Sequence, residues 1–197
     1  MAGRPREFDE KEARDAAMQL FWTRGYEATS LSDLLLAMGV SKSTFYQTFE
    51  SKHALFENCL VRYGEILITA MREGLSTAPK AIDFIRSALT DIAKETRDPA
   101  GRRGCLMANT AAEFAQSDPQ IARCVKAGME ASREVFIEAI VAAQADGDIS
   151  ADAIPKVLAD YLVTSYIGLK TQVKAGASAN QIRNIAELFV AALQRLV

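Results

Sequence analysis

The stretch Ser30–Lys52, SLSDLLLAMGVSKSTFYQTFESK, sets the topology of the first part of this chain. Its apolar residues recur at the spacing of one helix face, give way to a glycine, and then resume. Gly39 suits the left-handed conformation that ends a helix, and Ser41 suits the cap of the next one. The stretch therefore predicts two short helices joined by a tight turn, with a third helix beginning at its end. The apolar positions of the first helix are Leu31, Leu34, Leu35 and Met38.

The second of these helices has two faces of different chemistry. Phe45 and Phe49 are four residues apart and share the face expected to pack inward. Thr44, Gln47 and Thr48 lie on the opposite face and carry small or polar hydrogen-bonding groups. A helix that is anchored by aromatic rings and presents such groups outward is typical of a helix-turn-helix reader of the DNA major groove.

The rest of the chain keeps helical periodicity and contains no alternating β-branched run, so we predict an all-α fold. A first helix is expected to open near Asp9 and to stop at Gly25. Thr29 and Ser30 are expected to cap the second helix, with Asp33 completing a capping-box pattern. We place a three-helix helix-turn-helix domain with an N-terminal arm at 1–51 and a larger helical bundle at 52–197. The helices expected after the recognition helix cover about 51–74, 80–96, 105–116, 119–146, 153–175 and 178–197.

The composition is that of a chain with a sizeable buried core. It has 197 residues, of which 49% are hydrophobic, and no apolar run approaches the roughly 20 residues needed to cross a bilayer. The opening MAGRPREFDEKE is charged and lacks the apolar centre of a secretory signal. Three cysteines, an odd number without paired spacing, fit a reducing compartment. We therefore expect a cytoplasmic protein.

The residue types that enzymes use are sparse and scattered. His53 is the only histidine, and Cys59 points to a different side of the same predicted helix, so the two form no catalytic pair. No group of histidine and cysteine has metal-ligand spacing, and the sequence contains no glycine-rich phosphate loop. The sequence therefore predicts neither an enzyme nor a bound cofactor or metal.

The net charge of −2 does not favour nucleic acid by itself, since seven basic residues face eight acidic ones up to Lys52. Lys42 and Lys52 stand in the first turns of their predicted helices, where the helix dipole disfavours a cation by roughly 0.3–1 kcal/mol. A phosphate would resolve that conflict, and two ordinary lysines screened by solvent are the alternative. Arg4 and Arg6 suit either an arm that reaches phosphates or the minor groove, or an ordinary disordered terminus.

Residues 13–56 resemble the DNA-binding domain of TetR-family transcriptional regulators. The resemblance lies in LFWTRGYEATSL, at the end of the first helix, and in MGVSKSTFYQTFESKHALF, across the turn and the recognition helix. The remaining helical stretch has the length that the family uses for a ligand-binding and dimerisation domain. The resemblance implies a homodimer that binds double-stranded operator DNA, usually as a repressor, and releases it when a small molecule acts on the larger domain.

The resemblance also implies a set of DNA contacts. Many family members carry histidine or an aromatic residue at the positions of Gln47 and Thr48, so their sequence preference does not transfer to this chain. Glutamine can pair with adenine, and threonine can meet a thymine methyl group. By position in the motif the expected contacts are Thr29, Ser30, Ser32, Ser43, Thr44, Tyr46, Gln47, Thr48 and Lys52, beside Lys42 and the arm residues Arg4 and Arg6.

Cys105 is the residue outside the predicted reader that most suggests chemistry. It follows Gly104 at a predicted helix start with Arg102 and Arg103 nearby, and such surroundings favour a reactive thiolate. The segment GCLMAN is also similar to a stretch in TetR-family repressors that sense electrophiles such as N-ethylmaleimide or quinones. Cys105 is therefore either a reactive sensor at a pocket or a small buried hydrophobe at a helix start.

An effector pocket is expected between helices of the larger domain, where helical bundles place their ligands. The candidates mix methionine, phenylalanine and tyrosine with little charge, which indicates an apolar or aromatic ligand. Ordinary core at its helical spacing is the more common role for each of them. The candidates are Cys105, Tyr63, Leu67, Leu89, Met107, Asn109, Met129, Phe136, Tyr161 and Tyr166.

The last two helices are expected to pair with those of a second copy in a four-helix interface. Their apolar stripes are richer than one small bundle needs, and closing the chain's own bundle is the alternative. The stripes are Leu158, Leu162, Ser165 and Leu169 in one helix and Ile182, Ile185, Leu188, Phe189, Ala192 and Leu196 in the other.

The sequence thus predicts a ligand-responsive, DNA-binding transcriptional regulator. An architectural DNA-binding protein without a small-molecule effector is the alternative function. The size and apolar character of the predicted second domain count against that alternative, because an architectural protein needs no ligand pocket.

Overall fold

A computed structural model describes residues 9–114 and 116–195, with the backbone alone at 195. All regular structure in these ranges is helical, which confirms the predicted all-α fold. Arg4, Arg6 and Leu196 lie outside the described residues. The helices are α1 (Glu10–Arg24), α2 (Leu31–Met38), α3 (Lys42–Phe49), α4 (Lys52–Thr77), α5 (Ala81–Thr90), α6 (Ile92–Glu95), α7 (Leu106–Phe114), α8 (Pro119–Ala145), α9 (Pro155–Lys174) and α10 (Ala179–Arg195), with a 3₁₀ helix at Gly101–Arg103.

The first helices begin and end at residues whose side chains or backbone satisfy the free groups of helix ends. The Asp9 carboxylate accepts the backbone N–H of Lys11 at 2.8 Å and so caps α1. Ser30 and Asp33 form a capping box at α2, in which each side chain accepts the backbone N–H of the other residue at 3.1 Å. Gly39 ends α2 with a φ of 66°, in the left-handed region.

The single helix predicted over 80–96 is wrong, because Asp91 separates α5 from α6. Beyond this residue the backbone bonds tighten to three-residue spacing. The N–H of Lys94 donates to the Asp91 carbonyl at 2.9 Å, and that of Arg97 donates to the Lys94 carbonyl at 3.2 Å. Such turns keep apolar residues near helical spacing, so the sequence pattern does not reveal the break.

The chain divides into two compact units, one ending at Tyr63 and the other beginning at Gly64. The division falls within α4, so the first turns of this helix belong to the first unit and its later turns to the second. The domain boundary expected between residues 51 and 52 coincides with the start of α4 and stays a prediction.

Aromatic rings hold the first unit together. The ring of Phe56, in α4, lies 4.9 Å from the ring centroids of both Phe21 and Tyr26. Arg62 of α4 also binds the carboxylate of Asp15 in α1 at 3.1 Å. These contacts fix α1 against α4, and α2 packs against α1.

The second unit is a helical bundle in which α8 and α9 pack along each other and α5 and α10 complete the core. Phe136 and Ile140 of α8 are buried, as are Leu162, Leu169 and Val173 of α9. Burying one side chain of this size contributes roughly 1.5–3 kcal/mol. The bundle is therefore stabilised by its own apolar core.

Candidate functional site

The helix α3 is held in the first unit by the two aromatic side chains that the sequence identifies. Phe45 and Phe49 are buried, and their ring centroids lie 5.9 Å apart. Leu34 and Met38 of α2 are buried as well. The aromatic face of α3 is thus buried in the first unit, and this burial holds the helix in place.

The other face of α3 carries the polar side chains expected there. Ser43 and Gln47 are exposed, and Tyr46 keeps 47% of its surface in solvent. Thr44 and Thr48 are half-buried at the edges of this face. The face is therefore narrower than the sequence suggests, with Ser43, Tyr46 and Gln47 at its centre.

A cluster of hydroxyl groups forms the start of α3. The Ser41 hydroxyl accepts the backbone N–H of Thr44 at 3.1 Å and caps the helix, as predicted. The same oxygen lies 2.9 Å from the hydroxyl oxygens of both Ser43 and Thr44. These groups sit at the positive end of the helix dipole, where anions are attracted.

Lys42 and Lys52 begin α3 and α4, and neither helix has an acidic residue in its first turn. Within the described part of the chain neither ammonium has a carboxylate at ion-pair distance. The Lys52 ammonium instead lies 4.1 Å from the centroid of the Tyr26 ring, in a cation–π contact that the sequence did not reveal. Among the described residues, both lysines are thus cations without an ion-pair partner.

The arginines that the structure describes in the first unit are in a different state, because acidic side chains neutralise them. Each of these ion pairs places a negative charge beside an arginine. They also leave the lysines at the starts of α3 and α4 as a local concentration of positive charge. The pairs are Arg14 with Glu10, Arg24 with Asp33, and Arg62 with Asp15.

Thr29 is not placed as the phosphate donor that the motif suggests. It is fully buried, and its hydroxyl donates to the Gly25 carbonyl at 2.7 Å. The Ser30 hydroxyl is exposed but donates to the Asp33 carboxylate at 2.6 Å, and this bond is the main cause that lowers the pKa of Asp33. Ser32 is exposed on α2 and fits a phosphate contact best of the three.

The second unit contains an apolar cavity of about 30 Å³, bounded by α4, α8, α9 and the start of α7. A void of this size has room for about two water molecules. Its lining is apolar apart from the thiol of Cys105 and the hydroxyls of Ser132 and Tyr166. The expected residues Leu67, Cys105, Met107, Met129, Phe136 and Tyr166 line it, together with Met71, Gly128, Ser132, Val163 and Ile167.

Two of the residues suggested for this pocket are core residues instead. Tyr63 belongs to the first unit, where its ring stands edge-on to Trp22 with 5.0 Å between the centroids. Leu89 is fully buried in the core of the second unit. Helical spacing does not distinguish a residue that lines a cavity from one that fills the core.

Two further suggested residues form hydrogen bonds away from the cavity. Asn109 donates to the Arg103 carbonyl and accepts from the Lys174 ammonium, both at 2.9 Å. The Tyr161 hydroxyl donates to the Phe189 carbonyl at 3.2 Å and thereby joins α9 to α10. Their polar groups are thus used to connect elements of the second unit.

Cys105 is buried in the cavity wall, one residue before α7 begins. The arginines expected near its thiol both donate to backbone carbonyls. Arg102 donates to Val173 at 3.3 Å, and Arg103 donates to Ala100 at 2.7 Å. These bonds engage both guanidinium groups with backbone oxygens.

An ion pair between a buried lysine and a half-buried glutamate, which the sequence pattern does not reveal, lies near this cavity. The Lys170 ammonium is 2.5 Å from the Glu95 carboxylate and 6.0 Å from the centroid of the Tyr166 ring. Lys170 is almost completely buried. One signal was available, because Lys170 follows Leu169 on the inward stripe of α9, where a charge requires a partner.

The apolar stripe predicted for dimer contact in α9 is buried within the second unit itself. This corrects its assignment to a free face, since closing the chain's own bundle is the role that the structure gives it. Ile182 of α10 is likewise fully buried. The residues of the α9 stripe are Leu158, Leu162, Ser165 and Leu169.

A different set of apolar side chains is exposed on these two helices. Leu188 of α10 is 69% exposed, Ile185 is exposed beside it, and Val157 of α9 is also exposed. Phe189 and Ala192 are half-buried. Apolar surface therefore remains outside the core on both of the last two helices.

Neither a metal site nor a membrane span is found among the described residues. Within 9–114 and 116–195 no three or more histidine, cysteine, aspartate or glutamate side chains are grouped so as to hold a metal ion. No helix in those ranges combines the length and the apolar character that crossing a membrane requires.

Two family models match the chain. The model of bacterial regulatory proteins of the tetR family matches residues 14–59, which include α2 and α3 and most of α1. The model of the tetracyclin repressor-like C-terminal domain matches residues 81–189, from the start of α5 into α10. The matched ranges thus cover the helix-turn-helix and most of the second unit.

Individual relatives agree with these models. The HTH-type transcriptional repressor ComR of Escherichia coli (strain K12) is 32% identical over 93% of this chain and 88% of its own length. The HTH-type transcriptional regulator YezE of Bacillus subtilis (strain 168) is 28% identical over 97% of this chain and 99% of its own length. Both are named as regulators of transcription, in agreement with a regulator rather than an enzyme.

A solved structure extends the comparison to the whole fold. A cysteine mutant of the TetR family transcriptional regulator CifR, complexed with 26 bp double-strand operator DNA, has a TM-score of 0.84 and 30% identity to this chain. The match covers 97% of this chain and 100% of that chain. The helical arrangement described above is therefore also found in a protein that binds an operator.

Proposed function

Because this chain belongs to the TetR family of bacterial regulatory proteins, we propose that it is a repressor that releases its operator in response to an effector. As a family member it is a DNA-binding transcriptional regulator. The repressing direction follows the relative ComR, which is named as a repressor. In this proposal the protein acts as a cytoplasmic homodimer, and a small molecule or electrophile acts on the helical domain at 52–197.

The observation that carries the proposal is the polar face of α3 with an unneutralised lysine at either end. Lys42 and Lys52 have no carboxylate partner in the described part of the chain, and DNA phosphates supply the missing counter-charge. The polar side chains between them bring hydrogen-bonding groups to base edges in the major groove. The proposed contacts are Ser32, Lys42, Ser43, Thr44, Tyr46, Gln47, Thr48 and Lys52, with Arg4 and Arg6 of the arm.

Dimerisation is the second element of the proposal. Two copies of α3 can read successive major grooves only when they are held about 34–36 Å apart. The exposed apolar side chains Leu188, Ile185 and Val157 support an interface formed by α9 and α10 of both copies. In this arrangement each subunit reads one half of the operator.

The effector acts through α4 in this proposal. The first residue of α4 is Lys52, and later turns of the same helix carry Leu67 and Met71, which line the cavity. A molecule that displaces those two side chains therefore acts on the helix that begins with a proposed phosphate contact. The ligand-bound conformation then binds the operator less tightly than the ligand-free one.

The test is fluorescence anisotropy of labelled DNA from upstream of the gene, with a scrambled duplex of equal length as the control. We expect the upstream DNA to bind at least about a thousandfold more tightly than the scrambled duplex. An electrophile such as N-ethylmaleimide is expected to weaken binding of the upstream DNA. Equal affinity for both duplexes, together with no response to any effector, would identify an architectural DNA-binding protein instead.

The involvement of Cys105 in electrophile sensing is tested with matched serine variants. Cys105→Ser removes the thiol in the cavity wall, whereas Cys124→Ser removes a half-buried thiol on α8 that does not line the cavity. Electrophile should still release DNA from Cys124→Ser but not from Cys105→Ser. The sensing role of Cys105 is wrong if both variants respond as the unmodified protein does.

A further inference from the structure

The cavity of the second unit has one hydroxyl whose hydrogen-bonding capacity is unused. The Ser132 hydroxyl donates to the Gly128 carbonyl at 3.1 Å, so its proton is already engaged. The Tyr166 hydroxyl, in contrast, forms no hydrogen bond with any residue that the structure describes. Tyr166 is half-buried and lines the cavity, so its hydroxyl is available to donate to an acceptor group of a bound ligand.

The Tyr166 hydroxyl is a donor at all ordinary pH values. Burial is the main cause that raises its pKa far above the usual value for tyrosine, and the nearby Cys105 and Glu95 raise the pKa further. The phenol therefore stays protonated when the cavity is occupied. A ligand carbonyl oxygen can accept a hydrogen bond from this phenol, whereas a ligand ammonium would find no carboxylate among the lining residues.

The lining of the cavity contains no charged side chain. A charged ligand would lose its hydration on entry and find no opposite charge to compensate for the loss. The apolar lining residues instead favour hydrocarbon groups. Together with one donor, this lining matches an uncharged molecule that is apolar except for a single acceptor oxygen.

The size of the cavity can change, because methionine side chains form much of its wall. Met71, Met107 and Met129 have three rotatable bonds each and fill irregular spaces readily. A methyl group added at Gly128 would lie 2.7 Å from the terminal methyl of Met107, so that side chain sets the width beside α8. A shift of the Met107 side chain would therefore enlarge the cavity beside α8.

An open groove of about 390 Å³ on the surface of the second unit adjoins this cavity. Met129 and Val163 line both spaces and so form the wall between them. We expect rotation of the Met129 side chain to connect the groove with the cavity. The groove therefore gives a route from solvent to Tyr166.

We propose that the cavity binds a small, uncharged, largely apolar carbonyl compound, which enters past Met129 and accepts a hydrogen bond from the Tyr166 hydroxyl. Tyr166 is thus the residue that selects an acceptor group in an otherwise apolar site. This inference rests on the proposed function only in treating the bound molecule as the effector of DNA release.

The test is calorimetry of the full-length protein with cyclopentanone, and with cyclopentanecarboxylate as a charged probe of the same ring size. Tyr166→Phe removes the hydroxyl and keeps the ring. The matched control is Tyr161→Phe, whose lost hydroxyl bonds to Phe189 away from the cavity. We expect Tyr166→Phe to weaken cyclopentanone binding about three- to tenfold, the value of one neutral hydrogen bond, and the control to change it less than about twofold.

Circular dichroism first verifies that both variants are folded. Equal cyclopentanone affinity in Tyr166→Phe and the unmodified protein would overturn the inference, as would tighter binding of the carboxylate or no binding of the ketone. Operator anisotropy with the same ketone separates the two proposals. Ketone binding that depends on Tyr166 but leaves operator affinity unchanged supports the site and contradicts its effector role. Release of operator by another compound, without ketone binding, contradicts only the inference.

Discussion

The position of the Lys52 side chain should affect DNA affinity directly. Its ammonium rests on the Tyr26 ring, which limits its motion and keeps it at the start of α4. A cation held in place loses less conformational freedom when it binds a phosphate than a mobile one does. Its contribution should therefore be that of one well-positioned phosphate contact.

Replacing Lys52 by alanine should weaken binding of operator and random DNA by the same factor, because phosphates carry no sequence information. The slope of log affinity against log salt concentration should fall by about one unit. Titrations at several salt concentrations measure both quantities. Lys156→Ala, an exposed lysine of α9, is the control and should change neither. An unchanged slope in Lys52→Ala would contradict the phosphate contact.

Cys59 makes the stability of the first unit depend on alkaline pH. It is fully buried, its thiol donates to the Arg14 carbonyl at 3.7 Å, and burial is the main cause that raises its pKa from 9.0 to about 12. The unfolded chain loses this proton near pH 9, whereas the folded chain retains it to about pH 12. The stabilisation is thus complete below pH 9 and is lost as the pH rises from 9 towards 12.

Replacing Cys59 by alanine should make the free energy of unfolding less dependent on pH in this range. One proton bound by the folded state alone gives a slope of about 1.4 kcal/mol per pH unit, and the variant should lack that contribution. Urea unfolding between pH 8 and 11 measures this slope.

At neutral pH the Cys59→Ala variant is expected to lose about 1 kcal/mol of stability, because removing the thiol leaves a cavity. Cys124→Ala is the control, since that thiol is only half-buried. Parallel pH curves for Cys59→Ala and the unmodified protein would contradict the assignment.

At the scale of elements, the turn between α2 and α3 depends on Gly39. Its φ of 66° is costly for any residue with a Cβ, and no atom lies within 4 Å of where a Cβ would be added. Gly39→Ala should therefore lower stability by about 1 kcal/mol through backbone strain alone. It should also lower DNA affinity, because the turn sets the direction of α3. Thermal unfolding and operator anisotropy measure the two effects.

Gly147 provides a matched control for this substitution. It follows α8 in the second unit with a φ of 76°, and it also has no atom within 4 Å of an added Cβ. Gly147→Ala should cost a similar amount of stability and leave DNA affinity unchanged. If the two variants bind operator equally well, the turn at Gly39 does not control the direction of α3.

The elements that the sequence predicted best are those whose ends depend on neighbouring residues. Asp9, Ser30, Gly39 and Ser41 all act where the sequence placed them, because caps and tight turns involve groups only a few residues apart. The same locality explains the correct assignment of Phe45 and Phe49, whose four-residue spacing places them on one face.

Contacts between distant residues could not be derived in this way. Lys170 meets Glu95 across 75 residues, and no local pattern specifies that pairing. The contact between Lys52 and Tyr26 likewise joins residues far apart in sequence, and it exists only once the first unit has folded. Thr29 differs, because its hydroxyl bonds to the Gly25 carbonyl only four residues away. Threonine hydroxyls commonly donate to a carbonyl at this spacing, so the sequence alone indicates that this hydroxyl is engaged locally and not with DNA.

At the scale of the whole molecule, a net charge of −2 is compatible with DNA binding. What matters for binding is which positive side chains are paired with carboxylates and which are available to phosphates. Ion pairs neutralise Arg14, Arg24 and Arg62, and the lysines that begin α3 and α4 have no carboxylate partners in the described chain. Few phosphate contacts per subunit give modest affinity for one half of an operator. Two connected subunits multiply that affinity, so dimerisation should control binding strongly.

Leu188→Glu should test this dependence. Leu188 is 69% exposed on α10, and a glutamate there would bring a charge from each subunit into the proposed apolar interface. We expect sedimentation to give the mass of one chain and operator affinity to fall about a hundredfold, because each half-site is then bound independently.

Val141→Glu is the control, since Val141 is 51% exposed on α8, outside the proposed interface, and it should leave mass and affinity unchanged. Circular dichroism should show native helix content for both variants, because neither side chain belongs to the core. A Leu188→Glu protein that keeps the mass of two chains would place the interface elsewhere, and a monomer that keeps full operator affinity would show that one copy of α3 is sufficient.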